Sequence, residues 1–589
     1  RGQVRNIDLY GQPVVANVIL LDVDRAAVRW HGSYRYNFDF GTTTEAGISV
    51  SDRWRDVDFN TGLVFRDFVR GDFTPQSILG GDGNLTEERF DVLDMGGDRG
   101  TANLNAAKHF GETFVRLNAK LGSDKRDGQR ISERTPQAPG TPPTMELFPE
   151  EYESVDVEVG IDAERLLGAD LVGKAILIHT DQDENAVDSQ ISLDDIGAQL
   201  RERISETDTQ TNETIGRIEF VWTGSAGHTV QMNLEGALNS LDNTLVQTED
   251  TGSGPVIIDV PGANSRVEET RWDVLLKDTW TLGPHQFEYG VGAEFSTITQ
   301  SGDADQERDF TFLKPQFAYT HSPHQGKLTR ISLARTVSQL DFRDFVSSTL
   351  FEDDDLTLGN PNLRPETTWK LELGYERRFD KDTVVKAIAF HDWVSDVEDL
   401  LPLAPTLEAP GNIGDGRRWG VEFEGSWPLQ RFGLNGAKLD VHARWQDSTV
   451  VDPVTGEDRV FTSRRRVGRL FPLLFYVENE YAFSVDFRQD FEAARVAWGW
   501  DVRSSAERPI FRVNELDIGD EGTEFNMFVE TTRWLGLKIQ FAAENILDVA
   551  ETRDRTIYVA ERDLSPVEQQ ELRSRVRGFR VELTVSGAF

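Results

Sequence analysis

The stretch Phe579-Arg580-Val581-Glu582-Leu583-Thr584-Val585-Ser586-Gly587-Ala588-Phe589 decides how the rest of the chain is read. Phe579, Val581, Leu583, Val585 and Phe589 fall on one face, and Arg580, Glu582, Thr584 and Ser586 on the other. A period of two means a β-strand with one apolar and one polar face. Upstream, Leu537, Ile539, Phe541 and Ala543 oppose Lys538, Gln540 and Glu544. Leu439, Val441, Ala443 and Trp445 oppose Lys438, Asp440, His442 and Arg444, and Val230, Met232, Leu234 and Leu238 oppose Gln231, Asn233, Glu235 and Asn239.

Working outward, the same pattern places 22 strands, from 29–39 at the front to 575–588 at the end. They run to roughly 10–14 residues, where strands of globular domains have about 5–6. Tight connections such as Arg533-Trp534, Gly283-Pro284-His285, Ser225-Ala226-Gly227 and Asp380-Lys381 alternate with long segments near 70–97, 123–150, 183–213, 242–265, 341–365, 396–415, 450–477 and 548–574. Stacked sandwich domains have no reason to alternate in this way. A transmembrane antiparallel β-barrel of about 22 strands does, with short periplasmic turns and long extracellular loops. The segment Thr135 to Pro149 holds five prolines and reads as an extended loop. Ser192-Leu193-Asp194-Asp195 and Ser565-Pro566-Val567-Glu568 have the Ser and N3 carboxylate of helix starts, which predicts short helices over 193–204 and 566–574.

Composition sets the limits. The 589 residues carry 101 acidic and 62 basic side chains, a net charge of −39, and no cysteine. Such a charge repels phosphate backbones, so nucleic acid is not an expected partner. The absence of cysteine excludes disulfides, thiolate metal sites and cysteine nucleophiles. A mean hydropathy of −0.45 suggests a soluble protein, but barrel strands hide apolar content by alternating it. Five loop segments (183–213, 242–265, 299–309, 341–365 and 396–415) hold more than half of the net negative charge. The low hydropathy then follows from polar lumen faces and acidic loops.

Four stretches resemble the TonB-dependent outer-membrane transporters. Gly359-Asn360-Pro361-Asn362-Leu363-Arg364-Pro365-Glu366 resembles the family's loop-to-strand motif. Asn412-Ile413-Gly414 leading to Gly420-Val421-Glu422 is similar to its Asn-x-Gly…Gly-Val-Glu strand entry. Asn545-Ile546-Leu547-Asp548 resembles the signature that ends the penultimate strand, with Ile-Leu in place of Leu-Phe. The terminal Phe589 looks like the signal read by the barrel-assembly machinery. The resemblance covers a barrel over 25–589. Residues 1–24, with Val14-Val15-Ala16-Asn17-Val18, look like the last strands of a plug domain. The family's TonB box and most of its plug have no counterpart in this sequence, and truncation is the expected reason.

No catalytic constellation is present: neither Gly-x-Ser-x-Gly nor His-Glu-x-x-His occurs, so an enzyme is the least favoured class. Glu352-Asp353-Asp354-Asp355 concentrates carboxylates suited to a divalent cation, against the simpler reading of a solvated acidic tip. No other cofactor is expected. Arg464, Arg465, Arg466 and Arg469 form the densest basic cluster, suited to an anionic ligand or lipopolysaccharide phosphate. Phe342, Phe345 and Phe351 are candidates for stacking on a ligand, whereas Trp30, Trp272, Trp280, Trp393, Trp498 and Trp534 suit a membrane-interface girdle.

The resemblance implies a monomeric barrel in the Gram-negative outer membrane, surrounded by lipid and lipopolysaccharide. Its loops would capture a siderophore, vitamin or glycan, and TonB would drive uptake through a plug. The acidic loops disfavour a highly anionic ligand. The rival expectation is a plugless pore, or a surface barrel that binds partners through its loops.

Overall fold

Alternation at the sequence level becomes a closed cylinder in the computed structural model, which describes residues 27–380, 382–462 and 479–589. The barrel strands are β1 (Ala27–Asn37), β2 (Gly41–Trp54), β3 (Val57–Gly80), β4 (Leu85–Phe110), β5 (Thr113–Pro136), β6 (Thr144–Leu166), β7 (Leu171–Leu193) and β8 (Gln199–Trp222). They continue as β9 (His228–Asp250), β10 (Asn264–Leu282), β11 (His285–Gly302), β12 (Gln306–His324), β13 (Lys327–Val337), β14 (Thr367–Arg378) and β15 (Val384–Ser395). The last seven are β16 (Gly416–Pro428), β17 (Ala437–Val451), β18 (Tyr481–Phe491), β19 (Val496–Ser505), β20 (Thr523–Thr531), β21 (Lys538–Glu544) and β22 (Arg580–Ala588). Each pairs antiparallel with its neighbour. β22 returns to β1, with Trp30 opposite Gly587 and Tyr36 opposite Val581. Phe589 N donates to Val28 O at 2.9 Å and Phe589 O accepts from Val28 N at 2.8 Å, so the terminal residue joins the closing seam. Closure leaves no open strand edge within lipid.

The molecule is inside out by the standards of a soluble protein. Val155, Val157, Val159 and Ile161 of β6, Met232, Leu234 and Leu238 of β9, and Trp272, Val274 and Leu276 of β10 are all exposed on the outer face. Buried residues are largely polar, among them Asp72, Thr74, Asp91, Arg130, Arg271 and Asp392. Exposed Trp54, Phe110, Trp222 and Trp534 mark the short-turn rim. Trp272 pairs with Phe295, and Trp369 with Trp393, at the opposite end of the apolar band. The two-residue hairpin turn between β2 and β3 is Arg55-Asp56 with φ of 49° and 64°, the left-handed pair that suits strand twist.

Several expected long loops prove to be strand. β3 to β9 are 23 to 26 residues long, although a bilayer takes only about 9–11. The segments 70–97, 123–150 and 183–213 are therefore hairpins that rise beyond the lipid. The outward residues of β7 turn polar at Asp181, Asp183 and Asn185. With both faces polar, the alternation that marks a strand disappears from the sequence while the hydrogen-bonded ladder continues.

No α-helix occurs among the described residues, so the helices expected over 193–204 and 566–574 are corrections. Residues 194–198 are a tight turn in which Asp194 Oδ1 accepts from the amides of Ile196 (3.1 Å) and Ala198 (2.7 Å). Ser565 Oγ accepts from Ala560 N at 3.0 Å and donates to Glu561 O at 2.9 Å, after which Val567–Val576 is a strand. The polar side chains that imitate helix caps stabilise turns, as Ser and Asp also do. Most of the five-proline segment is strand as well. Only 137–143 is irregular, and the β6–β7 pairing skips Phe148 and Pro149, where proline lacks an amide.

Above the short half, loops build structure of their own. Val567–Val576 pairs with the top of β3, then with Ala550–Tyr558, which pairs with Glu515–Asp520 and on to Arg508–Phe511. These extend the tall wall around the vestibule. A separate four-stranded sheet joins loop 338–366 (Ser348–Leu350, Asp355–Thr357) to loop 396–415 (Leu407–Asn412, Glu398–Ala404).

Candidate functional site in the outer vestibule

Loop 338–366 turns inward because it carries an apolar anchor. Phe345 and Leu363 pack with Val267 of β10 and Ile298 of β11, with Phe310, Leu340 and Phe342 around them. Leu363 is 0 % exposed. A Cβ on Gly359 would lie 2.2 Å from Phe345 O, so only glycine permits that backbone contact. Asn360 Nδ2 donates to Pro410 O at 2.7 Å, and its Oδ1 accepts from Asn362 N at 2.9 Å. Arg364 N donates to Asn412 Oδ1 (2.8 Å), and Asn412 Nδ2 donates back to Arg364 O (2.9 Å). Pro361 and Pro365 flank this clamp, and Glu366 N donates to Ser338 Oγ at 3.0 Å. Two motifs read separately in the sequence are thus one joint between two loops, with Gly414 O accepting from Val397 N at 2.8 Å.

The remaining motif residues work nearer the wall. A Cβ on Gly420 would meet Trp445 O at 2.3 Å. Asn545 (φ 51°) and Asp548 (φ 49°) form the turn that leaves β21, with Asn545 Oδ1 accepting from Val549 N at 3.0 Å.

The anchored loop delivers Glu352, Asp353, Asp354 and Asp355 into a ring of arginines. Glu352 is hydrogen-bonded to Arg573 and lies 3.4 Å from Arg130 Nε. Asp353 Oδ1 accepts from Arg553 Nη1 at 2.9 Å, and its backbone oxygen from Arg555 Nη2 at 3.1 Å. Asp354 pairs with Arg203 at 2.7 Å. Asp355 pairs with Arg512, which also holds Glu408. The reading of a solvated acidic tip is therefore corrected: only Asp354 is well exposed, and guanidiniums cover the others. Burial raises the Glu352 carboxyl, but Arg573 and Arg130 outweigh burial and hold it at about 2.

Beneath the tip lies a cavity of about 330 Å³. Arg70, Arg130, Arg508, Arg553, Arg573 and Arg575 line it, with Leu93, Met95, Phe148, Leu350, Phe351 and Ile510 as its apolar surface. Asp188 faces it from β7, above the lipid belt; burial, then neighbouring Glu150, pushes its carboxyl up to about 6.

Of the aromatic candidates, Phe351 reaches the cavity, with Arg203 4.9 Å above its ring. Phe345 is core, and Phe342 meets it edge-on at 6.2 Å. Arg464, Arg465, Arg466 and Arg469 lie outside the described residues, as does the segment 1–24. Among the described residues one group has metal-ligand spacing: Glu422, Glu424 and His442. There His442 lies 3.1 Å from Glu422, and Lys386 3.2 Å from Glu424. Sequence reasoning missed the arginine ring. Its trace is the period-two repeat Arg553/Arg555 and Arg573/Arg575/Arg577, which puts like charges on one face of paired strands.

The family model described as TonB dependent receptor-like, beta-barrel matches residues 177–513, more than half of the chain. Similar solved structures include BauA, the ferric preacinetobactin receptor from Acinetobacter baumannii (12% identity, 96% of this chain and 80% of that one, TM-score 0.62). The copper transporter OprC matches at 12% identity over 95% of this chain and 80% of that one, TM-score 0.62. The ferric yersiniabactin uptake receptor FyuA from Yersinia pestis matches at 11% identity over 96% and 80%, TM-score 0.60. No curated protein matches the chain. At such identities the likeness to these structures is one of fold.

Proposed function

The chain belongs to the TonB-dependent receptor family, and on that premise we propose that it captures a scarce nutrient at the Gram-negative cell surface for TonB-driven uptake. The observation that carries this is the vestibule: a closed 22-strand barrel whose loops fold inward over a cavity instead of splaying outward. A lumen of that strand number is too wide for wall side chains to fill, so it admits ligands larger than simple porin solutes. The tall wall of β3–β12 and the loop strands at 508–576 surround the approach on the loop side, where a ligand would arrive. The nutrient classes in view are a siderophore or other metal chelate, a vitamin and a glycan. The relatives named for ferric and copper ligands favour a metal-bearing nutrient. Uptake would need force applied through a plug, with lipopolysaccharide around the outer belt and no chemistry on the cargo.

Growth of a deletion strain on single iron, copper, vitamin and glycan sources tests the reading. One source should fail to support growth in the deletion and recover on complementation. Equal uptake of all of them by both strains would favour a pore or scaffold instead.

A further inference from the structure

The outer face of the short half carries a row of residues that contact with hydrocarbon alone does not require. Register across four strands sets Arg335 of β13 beside Trp369 of β14, Trp369 beside Trp393 of β15, and Trp393 beside Arg417 of β16. One step nearer mid-bilayer, Leu371, His391 and Trp419 form a second row on three of these strands. Side chains alternate between faces along a strand. Arg335 therefore shares the outward face of exposed Ile331 and Leu333, and Arg417 that of exposed Val421. The row stands at the loop-side end of the apolar band, where hydrocarbon gives way to headgroups. Trp369 and Trp393 are 39 % and 46 % exposed. The His391 ring centroid lies 4.3 Å from that of Trp393 and 6.2 Å from that of Trp419, and Arg417 Cζ is 6.0 Å from the Trp419 ring. A membrane-interface girdle accounts for the indoles, but not for a guanidinium at each end.

Those two arginines differ from their neighbours in lacking an acid. On the lumen face, the adjacent Arg418 pairs with Asp392 at 2.6 Å. Around the wall, outward cations above the belt are matched too: Lys125 pairs with Glu153, and Arg266 with Asp242 at 3.1 Å and Glu268 at 2.7 Å. The wall's outer face carries further exposed acids at Asp67, Asp98, Asp183 and Asp208. Among the described residues neither Arg335 nor Arg417 forms an ion pair. Arg335 Nη1 donates to Leu313 O at 3.3 Å. Asp447 of β17, which shares this face, lies opposite Trp419 and accepts from Ser448 N at 2.7 Å. A charge on the lipid face costs most at mid-bilayer and little at headgroup depth, so both guanidiniums stand where a phosphate can complete them. The wall's net negative face repels phosphate, and this face attracts it.

We propose that the outer face of β13–β16 is a docking site for one phosphorylated glycolipid of the outer leaflet. Arg335 and Arg417 each take a phosphate, and Trp369 and Trp393 lie under the sugars between them. Neighbouring strands are about 4.8 Å apart, so three steps separate the two arginine backbones by roughly 14 Å. Long, flexible side chains adjust that gap, which suits a disaccharide phosphorylated at both ends. Guanidinium forks bind phosphate bidentately, and indoles are flat, amphipathic and favoured at headgroup depth. The acyl chains then run down the same face over Leu333, Leu371 and Leu373. The four strands that hold the lipid also carry the inward loops 338–366 and 396–415, which leave β13 and β15 and return to β14 and β16. The inference rests on the outer-membrane placement of the barrel and is independent of which nutrient crosses it.

The test uses the purified full chain in detergent, with bound lipid counted by native mass spectrometry. The probes are bisphosphorylated lipid A, its monophosphoryl form and phosphatidylglycerol. One bisphosphorylated lipid should be retained per barrel, and the monophosphoryl form should bind about tenfold more weakly, having lost one charge-assisted contact. Phosphatidylglycerol, with one phosphate and no disaccharide, should bind at least as weakly as that. This comparison uses the unsubstituted protein and needs no variant to fold. Arg335→Gln with Arg417→Gln should lower retention of the bisphosphorylated lipid about tenfold or more, whereas Lys125→Gln with Arg266→Gln on the wall should leave it unchanged. Chelation of divalent cations should also leave it unchanged, because the guanidiniums reach phosphate without a bridging metal. Equal binding of the two lipid A forms, equal loss in the two double variants, or release on chelation overturns the proposal. Phosphatidylglycerol bound as tightly as bisphosphorylated lipid A would reveal a surface that reads charge alone and overturns it as well. None of these outcomes bears on nutrient uptake, which the deletion strain tests separately.

Discussion

Within the lipid belt, the wall of β3–β12 and the half formed by β13–β22 are built from the same alternation; above it they diverge. In the first group, strands of 18 to 26 residues carry on past the membrane. At roughly 3.3 Å per residue, a 23-residue strand projects about 40 Å beyond the ten or so residues that span. In the second group, strands of 7 to 15 residues stop near the belt and hand over to loops that fold inward. Ladder hydrogen bonds stabilise the wall whatever its outward side chains are. The folded loops depend on a few anchors, Leu363 and Phe345 on one side and the arginine ring on the other. The wall is therefore rigid scaffold, and the parts able to move over the cavity belong to the short half.

That contrast can be tested by perturbing one half at a time. The largest effect is expected from Arg555→Leu, which removes the buried guanidinium that Glu515 (2.5 Å) and Glu571 (3.2 Å) share. Unpairing a buried charge typically costs about 3–5 kcal/mol. Hydrogen exchange should rise across 515–520 and 550–576 and stay unchanged in β6–β8. If β6–β8 loosen equally, the two halves are not independent. Next, Leu363→Ala removes the fully buried anchor at a cost of about 2–4 kcal/mol. Limited proteolysis should then cut within 338–366 while the barrel still resists heat in detergent. Asn412→Ala loses the reciprocal bonds to Arg364 and should cost about 1–3 kcal/mol, felt in both inward loops. Faster exchange in 338–366 alone would show that the joint is not shared.

Acid should act on the two halves with opposite sign. Glu352 is held at about 2, below the ordinary carboxylate value of 4.5. Its contribution to tip docking is complete above pH 4.5 and is lost as pH falls towards 2. Asp188 is raised to about 6, so its ionised form strains the β6–β7 wall and protonation relieves it. Between pH 7 and about 5 the wall should gain protection at 145–150 and 187–193 while the tip stays docked; below about 4.5 the tip should loosen. Asp188→Asn should abolish the first change. The smallest effect belongs to Lys125→Gln. It removes an ion pair with Glu153 on the wall's outer surface, both about 61 % exposed, and the melting temperature should not shift measurably.

Much of the barrel was legible because lipid imposes a strict rule on outward residues. Every lipid-facing position from Val155 to Ile161, or Met232 to Leu238, must be apolar, and the lumen side tolerates charge, so a period of two survives. Where the lipid ends, the rule ends. Asp183 and Asn185 on the outside and Glu184 and Ala186 on the inside carry no contrast, and continuing strand reads as loop. The two Ser-led segments failed for a related reason, since a hydroxyl and a carboxylate satisfy a turn as readily as a helix start. The motif residues were found but their work was not: nothing local says that Asn412 clamps Arg364, 48 residues away.

The sequence by itself determined a closed antiparallel barrel, its strand number, its short-turn rim and its family, because these follow from alternation and from local motifs. Only the tertiary structure decided which loops become wall and which turn inward, and that the acidic run 352–355 meets arginines 130, 203, 512, 553, 555 and 573. Those partners lie up to 222 residues from the tip in the chain. Charge pairing depends on distance in space, and closing the barrel is what brings β5, β8 and the last two long loops around one point.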